Sequence, residues 1–581
     1  MKMAIVPRYA DIFDEPVPEL EDLLRDISSE VIIGLLTMIQ AKLHLDSADF
    51  KVQVEILQLF LRRQPLAIQH RIGLKVMESR KDRGADAYAI FSELHTLEFM
   101  HYCLGHYRKI PMGDDTTPDQ EFRLFKAYII FIEKRQEIDA GIFDENRHHA
   151  VDFFYKNTWP LLSSQYEAGN IINPFTEMIR GIVLFNFLEY NSPYAENIRQ
   201  FLAKRGHTSS WNYVFALLNV IQHSWKQTER NNDKSSSAII SVTEEFKPLF
   251  DSISMDARNY TATYAVDHRN YSGIKDKPIF RYGEDSYFIL NWNFFHNKLY
   301  EGLLYDLYTH SDIASAGGFK TFPNFKQYVS EEVTEGILFK KLLRASLQKK
   351  HSVLLFDEKT TQGFPDAYYR AGGDVILFEI KDAFFPANAI NTTSFQAIKD
   401  AIDAKYNQAN KGTGQLISQL QHIINTPFEK IKGYKHSRNL TIYPVMIYTD
   451  HFFSMPGVNQ YLQEAFVEKI TKAGMMNKFK KIQPLVFINI RFLINHLDLL
   501  RKNGTGFIDL FKLYYHEQAR TLKKVRRTDD LNAYFDCYQT FEMAVKYKHG
   551  DIMYRQEGYV RTVVDTLELT QGMSAGLEEG K

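Results

Sequence analysis

The stretch that decides the fold around it runs from Gly363 to Lys381 and reads GFPDAYYRAGGDVILFEIK. Two runs of β-forming residues, Phe364–Tyr369 and Val375–Ile380, flank the turn signal RAGGD. Runs of this kind on either side of adjacent glycines are typical of a β-hairpin. The segment therefore predicts two neighbouring strands that are joined by a tight turn.

Three charged side chains of this hairpin are expected to lie close together. Glu379 and Lys381 are two positions apart on one strand, so their side chains leave the same face. Asp366 belongs to the neighbouring strand, and pairing across the turn is expected to bring it beside Glu379. Two carboxylates and an amine thus converge at the edge of a sheet whose other residues are mostly apolar.

Such a cluster suits a bound divalent cation. Mg²⁺ typically takes one or two protein carboxylates and keeps its other positions for water and phosphate oxygens. The cation lowers the pKa of bound water, and a lysine beside it can hold the attacking water or neutralise developing charge. The alternative interpretation is a salt-bridge ladder across two strands, which is common on protein surfaces and contributes little to stability.

The elements around the hairpin alternate between helix and strand. This alternation predicts an α/β arrangement around a central mixed sheet. The predicted helices are Phe325–Leu347, Gly414–Asn425 and Phe492–Arg501, and the further strands are His351–Phe356, Leu440–Tyr448 and Pro484–Ile490.

The arrangement resembles the PD-(D/E)xK nucleases, which have the restriction-endonuclease-like fold. Pro365-Asp366 matches the PD and Glu379-Ile380-Lys381 matches the ExK, and the core order of the family, α-β-β-β-α-β, is the predicted order. The resemblance covers roughly residues 325–490. It implies an endonuclease that hydrolyses nucleic-acid phosphodiester bonds, DNA in preference to RNA, with Mg²⁺ as cofactor and Mn²⁺ as a substitute.

The resemblance also implies roles for single residues. Asp366 and Glu379 would bind the metal, the Ile380 carbonyl would be a further ligand, and Lys381 would position the nucleophilic water. The first helix of the family core often adds an acidic residue, for which Glu335 is the first candidate and Glu332 the alternative. Many members also carry a glutamine on the helix after the ExK strand. The candidates for that glutamine, four positions apart on one predicted helix face, are Gln415 and Gln419.

A basic surplus points to a polyanionic partner for the same region. Residues 321–527 hold 30 lysines and arginines against 18 aspartates and glutamates, a surplus of 12, while the whole chain has a net charge of −1. Two basic runs, Lys478–Lys481 and Arg520–Arg527, are expected to contact phosphates, although solvated helix faces explain them equally well. The predicted nucleic-acid contacts are Lys478, Lys480, Lys481, Lys523 and Lys524, with Tyr368 stacking on a base unless it packs in the core.

The chain as a whole is predicted to be multidomain, α followed by α/β. We expect a helical scaffold or recognition region over 1–230, and a bridging hairpin-helix element over 231–320. The nuclease-like domain is expected over 321–515, and a basic helical extension with a disordered acidic tail over 516–581. The polar stretch KQTERNNDKSSS, Lys226–Ser237, is the expected linker.

Composition excludes several classes of protein. A length of 581 residues exceeds what one hydrophobic core usually organises. Two cysteines argue against a disulfide scaffold and a multi-cysteine zinc site, and they fit a cytoplasmic protein. The longest apolar stretch near the start is about half of what a membrane-spanning helix needs, so no membrane partner is expected.

Alternative functions remain at this point. One is an interaction scaffold whose nuclease-like domain binds nucleic acid or protein without cutting, and another is a nuclease that acts on RNA. The resemblance further implies an effector in bacterial anti-phage defence, in which the helical N-terminal region would serve recognition, homo-oligomerisation or contact with a partner protein.

Overall fold

The computed structural model of the chain describes most of its length, in two compact units. The N-terminal unit lies within residues 2–147 and 164–319, and the C-terminal unit within 148–163 and 320–571. The described residues are 6–46, 49–83, 88–110, 116–145, 153–169, 172–230, 239–264, 271–347, 350–357, 363–425, 437–501, 506–525, 531–549 and 558–570.

The N-terminal unit begins with a set of helices, as its helical periodicity predicted. Ile33, Ile39, Ile56 and Leu97 are fully buried at their contacts. Helix Ser210–Arg230 includes the first residues of the expected linker, and the rest of that linker, from residue 231, lies outside the described residues. The residues of α8 up to Ser163 belong to the C-terminal unit. The helices of this part of the chain are α1 Tyr9–Ile12, α2 Leu20–Leu24, α3 Ser29–Asp46, α4 Phe50–Leu61, α5 Leu66–Arg83, α6 Glu93–Gly105, α7 Pro118–Glu145, α8 Phe153–Gly169, α9 Pro174–Tyr190, α10 Ala195–Ala203 and α11 Ser210–Arg230.

The same unit continues with a small sheet, in the order β1-β4-β3-β2, and six short helices. The hairpin of the expected bridging element is confirmed, because β3 and β4 pair antiparallel. The helix expected to follow it is interrupted, since α15 ends at Asn297 and α16 begins at Glu301. The elements are β1 Ile239–Ser241, α12 Lys247–Ser252, β2 Ser254–Met255, α13 Tyr260–Thr263, α14 Ser272–Asp276, β3 Ile279–Arg281, β4 Ser286–Ile289, α15 Trp292–Asn297, α16 Glu301–His310 and α17 Ile313–Ala316.

The C-terminal unit is built around the predicted mixed sheet and is confirmed as an α/β arrangement. Its acidic tail, residues 571–581, lies outside the described residues. The elements in chain order are α18 Phe322–Val329, a π-helix Ser330–Phe339, α19 Lys340–Leu347, β5 Ser352–Phe356, β6 Ala367–Ala371, β7 Asp374–Lys381, α20 Phe395–Tyr406, α21 Thr413–Asn425, β8 Thr441–Tyr448, α22 Val458–Lys472, β9 Lys481–Ile482, β10 Val486–Asn489, α23 Ile490–Asn495, α24 Leu497–Arg501, α25 Phe507–Val525, α26 Leu531–Cys537, α27 Phe541–His549 and α28 Gly558–Thr566.

The strand that carries Glu379 and Lys381, β7, lies in the middle of the sheet. The strand order is β10-β8-β7-β6-β5, and β9 also pairs with β8. β7 is antiparallel to β6 and parallel to β8. Every residue from Val375 to Ile380 is at most 1% exposed, so both faces of β7 are covered and its sequence is a continuous apolar run around one glutamate.

The hairpin of β6 and β7 closes over two glycines. Ala371 pairs with Asp374, and Gly372 between them has φ +62°. That left-handed backbone is costly for residues with a Cβ and easy for glycine. The turn therefore fixes the register, and it pairs Ala367 with Phe378.

The predicted helix over 325–347 is helical throughout but changes its winding in the middle. Residues Ser330–Phe339 form a π-helix between α18 and α19. Gly336 lies inside it, and a Cβ at that position would lie 2.9 Å from the carbonyl oxygen of Glu331. π-turns are rare and occur frequently at functional sites, and this one carries Glu335.

A segment from far upstream completes the C-terminal unit. The first residues of α8 pack against its C-terminal helices, where the rings of Tyr155 and Tyr538 stack at 5.7 Å between centroids. Trp159 is fully buried, and its indole N–H donates to the Pro456 carbonyl at 3.0 Å. The unit therefore depends on residues that are distant in sequence.

Replacing Gly457 by alanine is expected to destabilise the C-terminal unit by about 2–5 kcal/mol. Gly457 has φ +91°, and an added Cβ would lie 2.8 Å from Tyr155 Cε1 and 2.9 Å from Phe154 Cε1. The left-handed backbone costs about 1–2 kcal/mol and overpacking adds about 1–3 kcal/mol. Denaturant-induced unfolding, followed by circular dichroism, measures the loss.

Gly474→Ala is the matched control for this substitution. Gly474 has φ +65°, and no described atom lies within 4 Å of the Cβ it would gain. It should therefore show the backbone cost alone. Equal losses in the two variants would show that close packing against α8 contributes nothing.

Candidate active site

The C-terminal end of β7 brings the predicted charged residues together. Since Ala367 is opposite Phe378, Asp366 comes opposite Glu379. Asp366 Oδ2 accepts a hydrogen bond of 2.7 Å from the Ile380 backbone N–H, and Lys381 Nζ donates one of 2.6 Å to Glu379 Oε1. The strand period and the hairpin register thus produce the cluster.

Gln419 holds the other oxygen of Glu379. Its Nε2 donates to Glu379 Oε2 at 2.7 Å from the facing helix α21. Gln419 is 2% exposed, and its Oε1 has no hydrogen-bond partner within the described part of the chain. A buried, unsatisfied amide oxygen is costly, and it lies next to a carboxylate whose two oxygens are both engaged.

The π-helix adds Glu335 to the cluster. Ser330 Oγ donates to Glu335 Oε1 at 3.0 Å. The pKa of Glu335 is raised to about 7, chiefly by burial. The carboxylates of Asp382 and Glu379 add to this rise, while the hydrogen bond from Ser330 and the ammonium of Lys381 oppose it. Glu332, the alternative candidate on the same helix, is exposed.

The electrostatics of the cluster favour an added positive charge. Burial, and then the nearby carboxylate of Glu379, raise the pKa of Asp366 well above its ordinary value. Burial alone would lower the pKa of Lys381, but the carboxylates of Glu379, Asp366 and Glu335 outweigh it and raise that pKa. Three acidic groups therefore share one ammonium group, a composition that stabilises a bound cation.

The donor set fits Mg²⁺ or Mn²⁺ in its chemistry. All the candidate side-chain ligands are carboxylate oxygens, which hard divalent ions prefer. Asp366 Oδ1 receives no hydrogen bond from any described residue. Among the residues that the structure describes, no three acidic, histidine or cysteine side chains are already arranged as a ligand shell, and Glu379 would have to release Lys381 or Gln419 to join one.

Other predicted site residues lie elsewhere. Gln415 Oε1 accepts from the Gly412 backbone N–H at 3.0 Å, so this side chain caps the first turn of α21 and does not reach Glu379. Tyr368 is 1% exposed, and the prediction that it stacks on a base is therefore corrected: both faces of β6 are covered. Of the two glutamines, α21 directs Gln419 to the cluster.

The predicted basic contacts around β9 are exposed, and Lys481 lies at the opposite end of β8 from the cluster. Lys478, Lys480 and Lys481 are exposed, and Lys481 in β9 pairs with Thr441 at the start of β8. Lys381 pairs with the residue at the other end of β8, so the length of that strand, about 23 Å, separates the two sites. Lys523 is exposed on α25, and the side chain of Lys524 lies outside the described residues.

The sequence pattern did not predict a second buried network of polar side chains that lies next to the cluster. Asp382, directly after Lys381, accepts hydrogen bonds of 2.6 Å from Thr334 Oγ1 and from Thr449 Oγ1, and it forms an ion pair with Lys326. One signal was available, since the carboxyl ends of the parallel strands β7 and β8 lie at the same sheet edge and Thr449 follows β8.

Glu98 and His101, which form an E-x-x-H pair on α6, have separate partners in the N-terminal unit. Glu98 Oε1 lies 3.4 Å from Arg135 Nη1, and His101 Nδ1 lies 3.0 Å from Tyr260 Oη. Burial raises the pKa of Glu98 to about 7, against the opposing charge of Arg135. The pair is therefore part of the packing of the unit.

Replacing Glu98 by glutamine is expected to stabilise the N-terminal unit at pH 8 by roughly 3 kcal/mol. The folded state holds the Glu98 proton more tightly than the unfolded state, whose pKa is near 4.5. The free energy of unfolding of the wild type therefore falls as pH rises from about 4.5 to about 7. Glutamine has no proton to lose, so the variant does not show this fall. Unfolding curves at pH 5 and pH 8 measure it, and a difference that does not change with pH would assign the effect to packing.

No single helix among the described residues is long and apolar enough to cross a membrane, and only Phe153–Gly169 and Pro174–Tyr190, two helices separated by a bend, reach that limit together.

Comparison of the chain with protein-family models, with curated proteins and with solved structures finds no match.

Proposed function

We propose that the C-terminal unit is a metal-dependent nuclease that hydrolyses phosphodiester bonds of nucleic acid, with DNA as the favoured substrate. The observation that carries the proposal is the convergence of Asp366, Glu379, Glu335 and Lys381 at the end of β7. The order helix, three antiparallel strands, helix and parallel strand supports a restriction-endonuclease-like fold. The preference for DNA rests on the resemblance to PD-(D/E)xK nucleases.

The three carboxylates would hold Mg²⁺ or Mn²⁺. Asp366 offers an oxygen that no described donor occupies, and Glu335 offers one from the π-helix. Glu379 would offer Oε1 in exchange for its contact with Lys381, while Oε2 stays hydrogen-bonded to Gln419. Bound there, the cation would activate water and stabilise the negative charge that develops on the phosphoryl group. Gln419 would keep Glu379 directed into the site.

Lys381 would act on the nucleophile. Its side chain is 24% exposed, so the ammonium group is accessible from solvent while it contacts Glu379. It stays charged, because the surrounding carboxylates raise its pKa. A fixed ammonium at this position would hold the attacking water or a non-bridging phosphate oxygen by a charge-assisted hydrogen bond.

Cleavage assays with the whole purified chain test the proposal. Supercoiled plasmid, single-stranded DNA and RNA are each incubated with Mg²⁺, Mn²⁺ or EDTA. Nicking or linearisation that requires the metal is the expected result. Cleavage of RNA alone would move the proposal to a ribonuclease, and binding of nucleic acid without cleavage of any substrate would support the non-catalytic scaffold.

A further inference from the structure

Asp382 is a buried charge at the junction of three elements of the C-terminal unit. Its side chain is 1% exposed. Oδ2 accepts a hydrogen bond from Thr334 of the π-helix and pairs with Lys326 of α18, and Oδ1 accepts one from Thr449 after β8. All four side chains are at most 7% exposed, so water contributes little to satisfying the charge.

The network lies directly beside the residues of the candidate active site. Asp382 is the next residue after Lys381, and Thr334 is the residue before Glu335. The hydrogen bond of 2.6 Å between Thr334 Oγ1 and Asp382 Oδ2 therefore joins the two backbone segments that carry the lysine and the third carboxylate. Thr449 joins Asp382 to a different segment, the end of β8.

Two contacts attach the π-helix to β7 and to the residue after it. The ring of Phe339 lies 6.3 Å from that of Phe378 in β7, and Thr334, beside Glu335, donates to Asp382. π-helical winding is rare and mostly limited to single turns, and Gly336 within this one lacks a side chain that would add contacts. Glu335 accepts a hydrogen bond from Ser330 of the same segment and from no other described residue, so its own contacts do little to fix its distance from β7. A buried carboxylate with two hydroxyl donors and a counter-charge supplies that fixation.

We propose that Asp382 is a positioning residue that fastens the π-turn carrying Glu335 to the end of β7 carrying Lys381. This inference rests on the proposed metal-dependent function for its catalytic meaning. Asp382 itself does not touch the metal or the substrate. It sets the separation between one metal-binding carboxylate and the lysine, and it acts through Thr334.

Thr334→Val and Thr449→Val form a matched pair of variants for the test. Both threonines are buried, at 2% and 1% exposure, and each donates a 2.6 Å hydrogen bond to one oxygen of Asp382. Each substitution removes one hydroxyl at nearly constant volume, so the two should lower the melting temperature by similar amounts. Only the first removes the direct hydrogen bond between the π-helix and Asp382.

The readouts are hydrogen exchange of residues 330–339, Mn²⁺ binding by calorimetry without substrate, and plasmid cleavage by the whole chain. Thr334→Val should speed exchange in the π-turn about tenfold and weaken Mn²⁺ binding by about 10–100-fold, the range for loss of a residue that orients a metal ligand. Thr449→Val should change both by less than about threefold, and Thr334→Ser should restore wild-type values.

Equal effects of the two valine variants on exchange and Mn²⁺ binding would overturn the inference and make Asp382 a stabilising charge only. The experiments distinguish a failure of this inference from a failure of the proposed function. If the wild-type chain neither binds Mn²⁺ nor cuts, the nuclease proposal fails. The exchange comparison still decides whether Asp382 fastens the π-turn.

Discussion

Replacing Lys381 by methionine is expected to lower metal-dependent cleavage by about 10²–10⁴-fold, the range for loss of a group that handles a proton or developing charge. Methionine keeps an unbranched side chain of similar length, so the substitution removes mainly the ammonium group. Single-turnover cleavage of plasmid at saturating Mg²⁺ measures the loss in the chemical step. Nucleic-acid binding, measured in Ca²⁺ or EDTA, should change far less.

The same substitution should also lower stability when no metal is present. Glu379 is 1% exposed, and Lys381 Nζ is 2.6 Å from its Oε1. Removing one partner of a buried ion pair costs about 3 kcal/mol, at the lower end of the usual range because Lys381 partly faces solvent. Saturating Mg²⁺ should recover much of this loss, since the cation takes over the balance of the carboxylate charges.

Lys481→Met is the matched control for Lys381→Met. Lys481 is exposed and lies at the opposite end of β8, so it removes the same charge from the same unit without touching the cluster. It should cut within about threefold of wild type, which fits a weak phosphate contact at most. Similar cleavage by wild type and Lys381→Met would remove the lysine from the mechanism and leave the carboxylates and their metal ion to account for the activity.

Replacing Asp366 by asparagine is expected to lower metal-dependent cleavage by at least about 100-fold. The same change is expected to stabilise the metal-free protein. Asparagine keeps the acceptor for the Ile380 N–H, which lies 2.7 Å from Asp366 Oδ2. It removes a carboxylate whose pKa burial and Glu379 raise well above the ordinary value, so one unfavourable buried charge disappears. The proposed metal site loses the same negative charge, so the affinity for Mg²⁺ should fall.

Melting curves with EDTA and with Mg²⁺ check this second expectation. In EDTA the variant should melt about 3 °C above wild type, the shift that about 1 kcal/mol produces in a unit of this size. Added Mg²⁺ should raise the melting temperature of wild type and leave that of the variant nearly unchanged. A variant that is less stable than wild type in EDTA would show that the carboxylate is needed for the fold, as in a simple salt-bridge ladder.

The central hairpin and its pair of carboxylates could be predicted from the sequence because local rules determine them. A strand repeats every two residues, so Glu379 and Lys381 share a face, and the glycine turn at 372–373 fixes the register that brings Asp366 beside Glu379. The same rules identified the run of residues that forms β8. These relations span few residues, and the chain has little freedom to realise them differently.

The remaining site residues depend on which faces the fold covers. The sequence left open whether Tyr368 stacks on a base or packs in the core, and its ring is 1% exposed because both faces of β6 are covered. Gln415 and Gln419 share a helix face in the sequence pattern, yet Gln415 lies in the first turn of α21, where the free N–H of Gly412 captures its oxygen. The periodicity of a sequence shows which side chains share one face of a helix or strand. It does not show which other elements pack against that face.

The sequence alone predicts the mixed sheet, the strand that forms β7 and the convergence of Asp366, Glu379 and Lys381. Three features appear only in the folded chain. A π-helix carries Glu335, Asp382 connects this helix to the end of β7, and Trp159, in the first part of α8, packs into the C-terminal unit. These features join segments that lie far apart in the chain. Their contacts are set by packing and by the need to satisfy buried charges, which leave no periodic trace in the sequence.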